Sequence, residues 1–295
     1  MEDNFSKFHP AVKLFYFVSV IMFSMFFMHP VFISISLVSA LTYSIVLKGY
    51  KEIIKFVLSL LPVLLIMIII NMFFNSEGSD IILCFWGANI TLQSLVYSIC
   101  SSAVFINVIM WFLCFNKIVS FENILFLFSK YIPKVSLMFS ICFSSVNKFV
   151  YQAKQIRKTQ KYLGLDIADG GLKNKIINSF RIIIILVMWA LEGSLDMLNS
   201  MKSRGYGLPE RTTFRKYKFN GHDLFAILII VSLDILVFVG CVFKENIITF
   251  YPVIVVRDVT NFSVLIYISY LLLCLFPVIF NILEDVKWLI LRLKT

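Results

Sequence analysis

Apolar residues fall in long, almost unbroken runs along most of this chain. The first covers Leu14 to Met28, stops at His29-Pro30, and resumes from Val31 to Leu47. This pattern predicts a tight helical hairpin. Each arm is slightly short of the ~20 residues that cross ~30 Å of hydrocarbon, so flanking residues such as Phe8 and Tyr50 complete the spans. A third run, Ile53 to Phe74, carries Pro62 as an expected kink. Between Asn75 and Thr91 the chain turns polar, with Glu77, Gly78, Asp80, Gly87 and Asn89 around a short apolar stretch from Ile81 to Trp86, which reads as a small hairpin or a re-entrant cap. The fourth span, Leu92 to Phe115, bears Ser98, Cys100, Ser101, Ser102 and Ala103, side chains small enough to let membrane helices approach closely, and Trp111 is placed at the interface.

The periodicity changes after Ser120. From Pro133 to Leu163 one long helix, or two joined ones, is predicted, with Pro133 in its first turn. Val135, Met138, Cys142, Val146, Phe149, Ala153 and Ile156 recur at spacings of three and four and form one apolar stripe, while Lys148, Gln152, Lys154, Gln155 and Lys158 fall away from it. Gly164 to Gly171, with Asp166 and Asp169, forms a turn. The next helix has an apolar run of only ten residues, Ile182 to Leu191, followed by Glu192, Asp196 and Asn199 at helical spacing. It is therefore expected to lie flat or to cross other helices at the interface, ending at Gly205, Gly207 and Pro209. Two further spans follow, Leu224 to Phe243 and Phe262 to Ile282. The pattern describes an all-α polytopic membrane protein with about six transmembrane helices plus long amphipathic cytoplasmic helices. Its parts are 1–119 with about four spans, 120–221 as the amphipathic region, and 222–295 with about two spans and a basic tail.

Composition agrees: 60% of the residues are hydrophobic, 31 are Phe, and the mean hydropathy of +0.89 is more than a soluble core uses. Six cysteines without CxxC spacing read as small packing hydrophobes, and His9, His29 and His222 flank apolar segments far apart, which suits turns or interfaces and predicts no metal and no cofactor. Charge sets the orientation. Residues 148–221 hold fourteen Lys/Arg against five Asp/Glu, nearly all of the chain's net +10. The positive-inside rule places that block in the cytoplasm. The loop with Lys48, Lys51 and Lys55 agrees, since the acidic loop at Glu77 and Asp80 lies one span away. Both termini are then cytoplasmic. No cleavable leader is read at the start, where acidic Glu2 and Asp3 precede the first span.

No Walker A loop, HExxH or GxSxG pattern occurs, and the chain is read as non-catalytic, with no nucleic-acid partner. Asp234 is a lone acid at membrane depth, best explained by protonation or hydrogen bonding inside the bundle; Asn71 and Asn107 read as interhelical hydrogen-bond formers. The chemically most pointed feature is Ser203-Arg204-Gly205. A guanidinium between two small residues at a helix end offers a rigid fork of donors to a carboxylate and lets another backbone come close. The positive-inside rule alone would account for Arg211, Arg215 or Lys216. The small neighbours, the helix end and the amphipathic approach set Arg204 apart.

Phe8-His9-Pro10-Ala11-Val12-Lys13-Leu14, the group Asn71, Phe74, Asn75 and Gly78, Tyr131-Ile132-Pro133-Lys134, and above all Met201-Lys202-Ser203-Arg204-Gly205-Tyr206 resemble the transmembrane T component of energy-coupling-factor (ECF) transporters, the family that includes the cobalt-transport Q protein. The resemblance implies a scaffold that joins a membrane-embedded, substrate-binding S component for a vitamin or transition-metal ion to two cytoplasmic ABC-type ATPases. Arginine motifs on its coupling helices would sit in ATPase grooves. It makes Arg204 the contact of the second motif, with Ser203 and Gly205 as its small neighbours. The first motif falls at Tyr162-Leu163-Gly164, where Leu163 stands in the arginine's place and Lys161 or Arg157 could supply a displaced charge. The stripe of Val135, Met138, Cys142, Val146 and Phe149 is assigned to the S component or to helix packing. A self-contained secondary transporter or channel is the alternative; it calls for several ionisable groups near the midplane, where Asp234 stands alone.

Overall fold

The computed structural model describes residues 4–75, 81–85, 88–164, 171–208, 217, 219–243, 248–250, 255 and 260–294. Glu77, Gly78, Asp80, Asp166, Asp169, Pro209, Arg211, Arg215 and Lys216 lie outside the described residues. After a short 3-10 turn at Asn4–Lys7 come α1 (Pro10–Phe26), α2 (Pro30–Lys48), α3 (Tyr50–Phe74), β1 (Ile81–Phe85), β2 (Ala88–Thr91), α4 (Leu92–Ile118), α5 (Phe121–Tyr131), α6 (Pro133–Tyr162), α7 (Leu172–Ser203), α8 (Gly221–Val242) and α9 (Asn261–Lys294). The two strands pair antiparallel as the small hairpin. The chain divides into two compact units, Met1–Ile124 with Tyr217–Thr295, and Leu125–Lys216.

Helix starts follow from local chemistry. His9-Pro10 and His29-Pro30 are one device used twice. Proline occupies the first turn, where its missing N–H costs nothing, and the histidine before it is the N-cap, its Nδ1 accepting the N–H of Ala11 (3.2 Å) or Val31 (3.3 Å). Gly49, at φ 85°, makes the abrupt link from α2 to α3. Thr91 caps α4 through Ser94 N–H, and Asn220 with Asp223 forms a capping box on α8.

Among the described residues six helices are long and apolar enough to cross a membrane: α2, α3, α4, α7, α8 and α9. Membership differs from the sequence expectation in two places. α1 is apolar but only 17 residues long, and α7, expected to be too short, is one continuous helix of 32 residues whose most apolar window is not buried at all. The ten-residue run was bounded by single charges, Arg181 and Glu192, and a helix with one charge per few turns stays continuous and apolar on average. The last helix also runs on past Ile282 to Lys294.

The core of the membrane unit is aromatic. Phe5, Tyr16, Phe17 and Trp111 pack edge to face with ring centroids 5.3–6.4 Å apart, and α2 lies against both α4 and α9. Trp111, expected at the interface, is fully buried. Its indole N–H donates to Ser36 Oγ at 2.9 Å. Proton counting fixes the direction of the network around it. Ser36 has one hydroxyl proton, given to Asn107 Oδ1 (3.1 Å), so Ser24 must donate to Ser36 (3.1 Å) and Tyr270 to Ser24 (3.3 Å). Ser36 thus joins α1, α2 and α4, with α9 linked through Ser24, and Asn107 acts as the interhelical partner its sequence position suggested. Buried Cys100, Cys114 and Cys274 form no disulfide among the described residues, and Cys114 Sγ shares a hydrogen bond with Ser44 Oγ at 3.1 Å. Gly240 lets α8 and α9 close up, since a Cβ there would come within 2.6 Å of Ile266.

The paired histidine caps carry a pH signature. Burial lowers the pKa of both rings below 6.5; at His9 the nearby Asp223 pulls the other way and Lys13 adds to the lowering. A protonated Nδ1 cannot accept the capping N–H. The folded state therefore prefers neutral rings, so stability is complete above pH 6.5 and falls as pH drops below it. Thermal unfolding in detergent should show a lower midpoint at pH 5 than at pH 7.5. In His9→Asn/His29→Asn, whose amide oxygens accept at any pH, that difference should shrink; an undiminished difference would show that other groups control the acid limb.

Candidate docking site on two helix ends

The second unit is built around α6 and α7. The helices pack on each other, with Phe149 and Trp189 edge to face at 6.0 Å and Ile156 and Ile182 buried. Along α6, Ser136 and Ile156 are buried and Leu137, Ile141, Ser145, Gln152 and Ala153 half-buried, so the stripe read in the sequence is covered only at its far end, at Ala153 and Ile156. Val135, Met138, Cys142 and Val146 are exposed, and Phe149 alone of that group makes the ring contact with α7. The first part of the stripe, from Val135 to Val146, is thus left uncovered. On α7, Phe180, Ile184, Val187 and Leu191 are likewise more than half exposed.

Tyr162 lies thirteen and Ser203 fourteen residues beyond the Phe149–Trp189 contact, about 20 Å along each helix. The two ends share one backbone geometry. Leu163 caps α6 at φ −86°, ψ 8°, and Arg204 caps α7 at φ −87°, ψ 9°. A left-handed glycine follows each, Gly164 at φ 72° and Gly205 at φ 83°. Gly164 N–H donates to Lys161 O at 3.1 Å, as Gly205 N–H does to Lys202 O at 3.0 Å, and Tyr206 N–H reaches back to Met201 O at 3.0 Å, closing a Schellman motif that covers the last carbonyls of α7.

This geometry revises the part played by the small neighbours. Gly205 is needed first for the turn, because a side chain at that φ is strained and its Cβ would press on Leu208 at 3.2 Å. Ser203 Oγ donates to Ser200 O, back into its own helix. The cap leaves Arg204 exposed, between half-exposed Tyr206 and exposed Leu208, and no partner for its guanidinium is found among the described residues. A cation at a helix C-terminus also interacts favourably with the helix dipole. The other end presents Tyr162 and Leu163, 77% and 66% exposed, on the same backbone frame. One end offers a charged fork and the other an apolar pair. Arg157 and Lys161 are exposed within the last two turns of α6.

A site the sequence did not point to lies where the membrane unit hands the chain to α5 and takes it back. Tyr217 donates its hydroxyl to Asn123 Oδ1 at 3.1 Å, joining the two flanks of the second unit's insertion point. His9 stacks edge to face on Tyr217 and Phe219, and its N–H donates to Asp223, whose other oxygen accepts from Asn220. The signal was faint: an isolated tyrosine after a basic run. Asp234 sits in α8 beside Ser19 of α1. Among the described residues no three His, Cys, Asp or Glu side chains converge as a metal site.

Fold and site together define a polytopic helical membrane protein that carries a pair of long helices with matched, exposed ends. Residues 3–214 match the cobalt transport protein family, CbiQ, and the chain belongs to it. The energy-coupling factor transporter transmembrane protein EcfT of Exiguobacterium sibiricum is 29% identical over 104 residues, 35% of this chain and 40% of that relative. Its namesake in Lactococcus lactis is 29% identical over 106 residues, again 40% of the relative, and that of Macrococcus caseolyticus 25% over 185 residues, 59% of this chain and 70% of the relative. The matched stretch thus spans less than half the length of the first two.

The cap makes its own prediction. Gly205→Ala forces a Cβ into the left-handed region at about 1–2 kcal/mol, so amides of the last turn of α7 should exchange several-fold faster by hydrogen exchange, with Gly205→Asn less affected. Unchanged exchange in the alanine variant would mean that the left-handed turn does not hold this end.

Proposed function

We propose that this chain is the non-catalytic, membrane-embedded coupling subunit of an ECF-type ABC importer, linking two cytoplasmic ATPases to an S component that captures a vitamin or a transition-metal ion. The observation that carries the reading is the pair of helix ends with one backbone geometry. A motor of two similar ATPases needs two similar handles, and here the chain supplies two, each on a helix stiff enough to pass a displacement along about 20 Å. Family membership and the names of the relatives point the same way.

In this reading Arg204 enters an acidic groove on one ATPase and makes a bidentate, charge-assisted contact. Tyr162 and Leu163 fill the corresponding groove of the other with apolar surface, and Arg157 or Lys161 supplies what charge that contact needs. The two contacts are unequal in chemistry and equal in position. Val135, Met138, Cys142 and Val146, exposed in the chain alone, meet the S component. The excess of Lys and Arg in residues 148–221 puts the ATPase-facing unit and both termini in the cytoplasm.

Arg204→Glu should abolish co-purification of the ATPases while insertion and expression stay normal, because truncating or reversing one member of a desolvated charge pair costs about 2–5 kcal/mol. Arg204→Lys, which keeps the charge but loses the fork, should fall between. Wild-type retention of the ATPases by the glutamate variant would refute the docking role.

A further inference from the structure

Two adjoining cavities open at one end of the membrane bundle, of about 400 and 360 Å3. They share Lys48, Phe56 and Leu113 as lining residues, so they form one groove. Its position follows from the chain path: α2 ends at Lys48, α3 starts at Tyr50, and α4, returning after α3 and the β1–β2 hairpin, ends at Ile118. All three helix ends therefore lie at one membrane boundary.

The groove has two chemistries. At its mouth stand Lys48, Lys117 and Lys55, one from each of three helices. Glu52 is the only acid lining it among the described residues, so the mouth keeps an excess of two positive charges. No ion pair or hydrogen bond of these three ammonium groups is found among the described residues. Toward the bilayer the wall becomes apolar, through Leu113, Phe112 and Ile109 on α4 facing Phe56 of α3. Ile109 lies eight residues before Lys117, about 12 Å deeper along α4. The positive-inside rule alone would scatter lysines over the boundary. Here they converge on a single slot whose floor continues into the hydrocarbon.

We infer that this groove binds an anionic glycerophospholipid of the surrounding bilayer, with its phosphate among Lys48, Lys55 and Lys117 and an acyl chain along Phe56, Phe112 and Leu113. Charge complementarity selects the headgroup and the apolar wall selects a lipid over a free anion. A zwitterionic choline headgroup would bring its cation against the lysines. Lys51 is a built-in comparison: it sits in the same loop region but lies over the Tyr50 ring, outside the groove. The inference needs the chain to span a membrane and does not depend on the proposed coupling role.

The test uses the purified full chain in detergent, titrated with phosphatidylglycerol, phosphatidylcholine or inorganic phosphate, and read by thermal shift and native mass spectrometry. Phosphatidylglycerol should stabilise and stay bound, and the other two should not. Lys48→Gln and Lys117→Gln, both at exposed positions, should each weaken binding about fivefold and together about thirtyfold, from the contribution of each lysine near an anionic lipid. Lys51→Gln should leave it unchanged. Equal stabilisation by phosphatidylcholine or by phosphate alone, undiminished binding in the double variant, or an equal loss in Lys51→Gln would each overturn the assignment.

Discussion

A helix that stops in water must cover its last carbonyls, and the cheapest way is to turn the next residue left-handed and fold the chain back on the final turn. That requirement fixes glycine at 164 and 205 and, in doing so, fixes where the preceding side chain points. Leu163 and Arg204 differ by about one degree in each dihedral angle. Whatever the two ends touch, they offer it an identical backbone with different side chains. In the proposed reading the chain varies the chemistry of one contact without disturbing its geometry, and Leu163 is a change of that kind.

The membrane unit is built for rigidity. Three of its helices meet at the hydroxyl of Ser36 and a fourth, α9, joins through Tyr270 and Ser24, and the network has no freedom in its proton directions once Asn107 takes the first proton. Removing such a hub would leave buried donors unpaired, which is costly where no water can replace the lost partner. Near the surface, Tyr217, Asn123, His9 and Asp223 bind together the two points where the chain leaves and re-enters this unit.

Much of this was legible in the residues because the cues were local. The His-Pro steps, the long apolar runs, the hairpin after α3 and the single amphipathic α6 follow from periodicity and capping chemistry alone. Tertiary partners were not legible. Trp111 has the composition of an interfacial residue and is buried because Ser36, 75 positions away in sequence, accepts its N–H. The extent of α7 was misjudged because Arg181 and Glu192 were given the weight of boundaries. The stripe from Val135 to Ile156 was located, but that only its far end is covered was not, since periodicity reports a shared face and not what lies against it. At the helix ends the reason read for Gly205 was incomplete: the left-handed turn accounts for it before any close approach by a partner.

The account stands on the claim that this chain couples other proteins and moves nothing by itself. Affinity purification of the intact chain from its native membrane, with every retained protein identified, tests that most directly. The account predicts two nucleotide-hydrolysing subunits and a small apolar membrane protein in fixed proportion to the chain. Recovery of the chain without ATPases, together with solute uptake by liposomes that contain it alone, would contradict it.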